Sequence, residues 1–157
     1  MPYLAPQELR TFFITSVTHG RRHIFQTERM AQLFLKVLQE NRAQGRFLLH
    51  DFVLMPDHFH LLITPAYEVS LEKAVQFVKG GFSYRAKKEL NCNLEIWERS
   101  FTERRMKDSG DFERHRLYIR DNPVNARLAQ TAEAYPYSSA YPGAQVDRVP
   151  PALKRTA

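Results

Sequence analysis

The chain has 157 residues, enough for one domain with a proper core, and its 43% hydrophobic content is that of a folded protein. No apolar run approaches the ~18 residues needed to span a bilayer, and Met1 to Arg10 lacks a basic-then-apolar export signal. A single cysteine, Cys92, excludes a disulfide framework and a multi-cysteine zinc site, while 23 Lys+Arg against 17 Asp+Glu give +6 and a pI near 9.6, which suits polyanionic partners.

The elements follow in chain order. Thr11 to Thr18 is rich in aromatic and β-branched residues and reads as a strand. From Glu28 to Gln44, Met30, Leu33, Phe34, Val37 and Leu38 recur at helical spacing, with Thr27 as the start cap and Gly45 as the stop. Phe47 to Met55 and Phe59 to Thr64 read as strands joined through the Pro56-Asp57 turn. Leu71 to Leu90 is a helix capped by Ser70, in which Gly80-Gly81 marks either close backbone packing or a kink. A fourth strand lies within Glu95 to Lys107, broken near Ser100. Gly110 to Asn122 is a short helix stopped by Pro123. Residues 1–145 read as one domain, and 146–157 as a flexible tail. The β-α-β-β-α-β order predicts an α+β, ferredoxin-like antiparallel sheet with helices packed on one face.

Chemistry concentrates at two places. In Met55-Pro56-Asp57-His58-Phe59-His60-Leu61-Leu62, strand alternation points His58 and His60 to one face and Phe59 to the other. Two imidazoles so placed make a natural half of a metal site, although a bare His-x-His pair is common without a metal; for a site, the remainder must come from elsewhere. On the last helix, Tyr118 and Asn122 are one turn apart, presenting a hydroxyl and an amide oxygen on one flank. A tyrosine in such a position is otherwise an ordinary packing residue. Tyr84 is the rival nucleophile, without a partner at helical spacing. The helix bearing Lys73, Lys79, Arg85, Lys87 and Lys88 is a solvated charged face or a track for phosphates.

Four segments occur together in order: the His58–His60 stretch, Phe77 to Arg85, Trp97 to Phe101, and Tyr118-Ile119-Arg120-Asp121-Asn122-Pro123-Val124. Together they closely resemble the REP-associated tyrosine transposases, relatives of the single-tyrosine insertion-sequence transposases in the histidine-hydrophobic-histidine (HUH) nuclease superfamily. Tyr135-Pro136-Tyr137-Ser138-Ser139 resembles the family's aromatic-Pro-Tyr-Ser-Ser ending, so the likeness runs from about Thr11 to Ala140. The resemblance implies Tyr118 as nucleophile, His58 and His60 as ligands of a divalent metal (Mg²⁺ or Mn²⁺), and Asn122 as a further ligand. It implies single-stranded or hairpin DNA as substrate, a palindromic chromosomal repeat as target, and a monomer rather than a homodimer; the lone Cys92 and the lack of an export signal point to the cytoplasm, with nucleoid association when bound to DNA. Where the family commonly reads Asn-Pro-Val-x-Ala-Gly-Leu, this chain has Arg127 in place of the glycine, which either alters the turn or adds a phosphate contact. Two other readings stand beside this one: a catalytically inactive, domesticated nucleic-acid binder on the same scaffold, and a histidine-ligated metal hydrolase.

Overall fold

The computed structural model describes residues 9–150 and 153. Alternation along β1 (Phe12–Val17) sends Ile14 into a closed core and turns Phe13 and Thr15 to the opposite face. Helix α1 (Glu28–Ala43) buries Ala31, Leu33, Phe34, Val37 and Leu38. Thr27 stands at its N-cap position, but the hydroxyl makes no cap bond and turns back to the Ile24 carbonyl.

Strands β2 (Phe47–Met55) and β3 (His58–Pro65) form the expected hairpin about Pro56-Asp57. Helix α2 (Leu71–Leu90) is capped by Ser70, whose Oγ accepts from the Lys73 amide at 3.1 Å. The helix is continuous through the glycine pair. A Cβ at Gly81 would stand 3.4 Å from Val37 Cγ1, so the small residue serves close packing of α2 on α1. Strand β4 (Thr102–Arg105) begins just past Ser100, where the break was expected. Helix α3 (Ser109–Asn125) runs through Pro123 instead of stopping at Asn122. A proline in the last turn removes little, because the Ala126 amide still bonds the Asn122 carbonyl at 3.0 Å.

The sheet order is β2-β3-β1-β4, with every pair antiparallel, which is the ferredoxin-like arrangement. Helices α1 and α2, the two helices of the β-α-β-β-α-β unit, cover one face and pack on Ile14, Phe59, Leu61 and Ile63. Helix α3 crosses the opposite face and closes a second, smaller core of Val53, Met55, Leu62, Met106, Phe112 and Ile119. The stretch from residue 146, expected to be a tail, is tied to the domain at Asp147. Its carboxylate pairs with Arg42 and accepts from the Leu49 amide at 2.8 Å, and Val149 packs on the smaller core. Residues 151, 152 and 154–157 of that expected tail, like most of Met1 to Arg10, lie outside the described residues. Among the described residues no helix is long and apolar enough to cross a membrane.

Candidate active site

His58 and His60 occupy the β3 face that looks toward α3. The register sets His60 between Thr15 of β1 and Val53 of β2, in the middle of the sheet, and leaves it 4% exposed. His58 stands at the mouth of the hairpin, opposite Met55 and Val17. The two ring centroids are 4.9 Å apart.

Each imidazole is oriented through Nδ1. His60 Nδ1 is 2.8 Å from Thr15 Oγ1, and His58 Nδ1 is 2.7 Å from Asp57 Oδ1. A carboxylate only accepts, so the proton of this hydrogen bond is donated by His58 Nδ1, and Nε2 is the ring nitrogen left free of the tether. The second oxygen of Asp57 pairs with Arg21 Nε at 3.0 Å, completing an Arg21–Asp57–His58 chain. His60 Nε2 is buried without a hydrogen-bond partner among the described residues. Burial, with a further contribution from His58, pushes the His60 pKa down to about 3, so the ring is neutral at physiological pH.

These features fit a metal centre. A neutral imidazole tethered at Nδ1 with Nε2 unsatisfied is an ordinary ligand arrangement, and an orphaned buried polar atom calls for a partner. No group of three or more His, Cys, Asp or Glu that could hold an ion occurs among the described residues, and a third protein ligand would have to be of another type. Asn122, half-buried one turn beyond Tyr118, offers an amide oxygen.

The Tyr118 ring lies edge-on to His60 with centroids 5.2 Å apart, and the residue is 51% exposed. Phe13 holds this corner together. It stacks on His60 at 5.1 Å, meets His115 at 4.8 Å and Tyr118 at 5.9 Å. Above Phe13 a cleft of about 500 Å³ opens, bordered by His60, His115, Tyr118, Arg104 and Arg114.

His115 and Arg104 did not emerge from the sequence reading. His115 was legible in one respect, since Asp111, His115, Tyr118 and Asn122 follow one another at steps of four, three and four, a single helix face. Its Nδ1 bonds the Asp111 carbonyl oxygen at 2.7 Å.

The basic helix expected to follow phosphates is α2, and α2 packs on the sheet face away from the histidines. Lys79 must be withdrawn as a DNA contact. It is buried, and its Nζ donates to the carbonyls of Glu98 at 2.9 Å and Ser100 at 3.3 Å. Arg85 is engaged by Glu40 and Glu89. Lys73, Lys87 and Lys88 are exposed, but on this far helix. Tyr84, 65% exposed, lies on this same helix, which covers the sheet face away from the histidines. Arg127 is exposed with φ +60°, the left-handed conformation natural to the glycine it replaces.

The chain is similar across 138 residues to a Haemophilus influenzae protein assigned to the REP-associated tyrosine transposases, with 27% identity over 82% of this chain and 78% of the relative. Among solved structures, a REP-associated tyrosine transposase bound to a REP hairpin superposes with a TM-score of 0.70 at 21% identity, covering 100% of this chain and 96% of that one. A transposase structure from Deinococcus radiodurans R1 gives 0.55 at 18% identity, covering 80% and 94%. Both structural likenesses speak to the fold. The sequence also matches the family described as Transposase IS200 like throughout residues 9–122, in agreement with the resemblance carried by its motifs, and the chain belongs to that family.

Proposed function

We propose that this protein is a divalent-metal-dependent, single-tyrosine DNA endonuclease and strand transferase, with Tyr118 as nucleophile and single-stranded DNA beside a REP-like hairpin as substrate. The observation that carries the reading is the approach of the Tyr118 ring to His60, whose buried Nε2 has no partner among the described residues. The hairpin is carried over from the structural relative bound to one. A cytoplasmic, nucleoid-associated monomer fits this role.

His58 and His60, through Nε2, and Asn122, through its amide oxygen, would hold the ion. Bound there, Mg²⁺ or Mn²⁺ supplies Lewis-acid polarisation of the scissile phosphate, and two imidazole ligands lean toward Mn²⁺. Asp57 and Thr15 hold the two rings by Nδ1, which leaves the Nε2 atoms as the ligand atoms. Tyr118 Oη attacks phosphorus in line and loses its proton to solvent. An O–P bond to the protein forms while the bond from phosphorus to the 3′-oxygen breaks, and that oxygen takes up a proton. The products are a 5′-phosphotyrosyl link and a free 3′-hydroxyl. A strand's 3′-hydroxyl reverses the step, so rejoining needs no outside energy source. Free tyrosine ionises near pH ~10 and is a weak nucleophile alone, so the step depends on this setting. The cleft over Phe13 is lined by Thr15 of β1 and Arg104 of β4, where a single strand can lie against the sheet.

Trapping of a covalent adduct on a labelled hairpin oligonucleotide with a single-stranded flank tests the reading. Tyr118→Phe removes one hydroxyl and is expected to cut adduct formation by at least ~10³-fold while DNA binding persists. An undiminished adduct in Tyr118→Phe refutes the assignment.

A further inference from the structure

With the basic face of α2 turned away from Tyr118, other cations must meet the strand, and β4 carries them. The register pairs Arg104 with Phe13, and directly paired residues share a face, so Arg104 stands on the Tyr118 side of the sheet. Strand β4 is the sheet edge, and all four of its residues are exposed. Arg104 makes no ion pair among the described residues. Arg114 faces it from α3, one turn before Tyr118, with its side chain 71% exposed and a single contact to Asp111 at 3.2 Å.

The two arginines border the cleft over Phe13 and also a second cleft of about 430 Å³, which continues past Lys107 to the start of α3. Two carboxylates of that second cleft are held by backbone amides. Asp108 Oδ1 accepts from the Asp111 amide at 2.7 Å, and Asp111 Oδ2 accepts from the Lys107 amide at 3.1 Å. Glu103 and Arg105 flank Arg104 along β4 and alternate to the opposite face of the sheet. On the Tyr118 side, Arg104, Lys107 and Arg114 against Asp108 and Asp111 leave the groove with a net positive charge.

We infer that Arg104 and Arg114 grip the backbone phosphates next to the scissile one, and that the DNA single strand leaves the Tyr118 cleft along the outer edge of β4. This rests on the functional reading above and adds the path of the substrate. Tyr118 and Arg114 are four residues apart, about 6 Å along the helix axis. That span equals one to two stacked nucleotide steps of ~3.4 Å, so Arg114 serves a phosphate one or two positions from the bond that breaks.

Fluorescence anisotropy with the flanked hairpin, on the Tyr118→Phe background, reads the path without chemistry. Arg104→Ala with Arg114→Ala is expected to weaken binding about 10- to 100-fold and to flatten the salt slope by about 1.4, at ~0.7 per single-strand phosphate. Arg104→Lys with Arg114→Lys keeps both charges and is expected to keep the slope, which separates lost contacts from a damaged fold. Lys87→Ala with Lys88→Ala, on the far helix, is expected to stay within about twofold of the parent, as for cations that meet no phosphate. Unchanged affinity and slope in the alanine pair, or an equal loss in the α2 pair, overturns the path. Wild-type adduct formation, scored in parallel, separates the two readings: with the adduct intact, those results refute the path alone. A parent protein that neither binds the strand nor forms the adduct refutes both.

Discussion

Lys79 offers a direct contrast between a phosphate contact and a structural cation. Its ammonium satisfies two carbonyls in the Trp97–Phe101 segment, and Trp97 Nε1 in turn donates to the Lys79 carbonyl at 3.0 Å. The aliphatic stem is buried, and Nζ lies 5.8 Å from the Trp97 ring centroid. Lys79→Met preserves most of the stem and deletes both donors. Hydrogen bonds from a charged donor contribute about 1.5–3 kcal/mol each, but the 3.3 Å bond is long. Burial also depresses the Lys79 pKa, which offsets part of the gain. The net cost is about 2–3 kcal/mol, a fall in Tm of roughly 4–12 °C at this chain length. Thermal unfolding followed by circular dichroism measures it, and anisotropy at a temperature where the variant remains folded measures DNA affinity, which should hold. An unchanged Tm with weakened DNA binding would refute the reasoning and return Lys79 to the phosphate surface.

Arg127→Gly replaces a residue at φ +60° with the one that adopts this conformation freely, and is expected to stabilise by about 0.5–1 kcal/mol after the extra entropy of the unfolded glycine is counted; a lowered Tm would contradict this. Chelation, or His60→Ala, is expected to abolish the covalent adduct, reversibly in the first case, while chelation leaves Tm unchanged; full activity in chelator excludes the metal. His60 also predicts acid sensitivity of the metal-free protein, because its folded pKa of about 3 lies below the ordinary 6.5. As pH falls below 6.5 the unfolded chain binds a proton that the folded chain refuses, and the loss reaches about 2 kcal/mol at pH 5. Denaturant titrations at pH 7 and pH 5 should show it, and the same difference in His60→Gln would assign it to another group.

The bounds of β2 and α2 could be read residue for residue because strong periodicity is closed by unambiguous punctuation, Pro56-Asp57 after one and the Ser70 cap before the other. The histidine pair was equally plain, since strand alternation alone fixes a shared face. The side of the sheet taken by α2 was legible too. Phe59, Leu61 and Ile63 are the apolar side of β3, so the helices must cover that side and the histidines must face away from them. Lys79 likewise falls between Val75, Val78 and Phe82 on the helix, which marks it for the interior despite its charge. Arg104 was beyond reach. Its role depends on the β1–β4 register and on the edge position of a four-residue strand, and both are set by pairings distant in sequence.

The two halves of the site are held by different amounts of structure. His60 belongs to a central strand paired on both sides, over a core in which Phe59, Leu61 and Ile63 are fully enclosed. Tyr118 belongs to a helix whose fully enclosed apolar side chains are Phe112 and Ile119. Burying two such side chains contributes about 3–6 kcal/mol. The Arg116–Asp51 pair at 2.7 Å adds a polar tie from α3 to β2 at a partly exposed position, where such a pair contributes at most about 1 kcal/mol. Leu117 and Tyr118, by contrast, are each more than half exposed. The two imidazoles are therefore fixed by the sheet, whereas Tyr118, the proposed nucleophile, is fixed by one helix resting on the smaller core. Changes that loosen Phe112 or Ile119 act on the reach of Tyr118 toward the histidines and leave the orientation of the histidines intact.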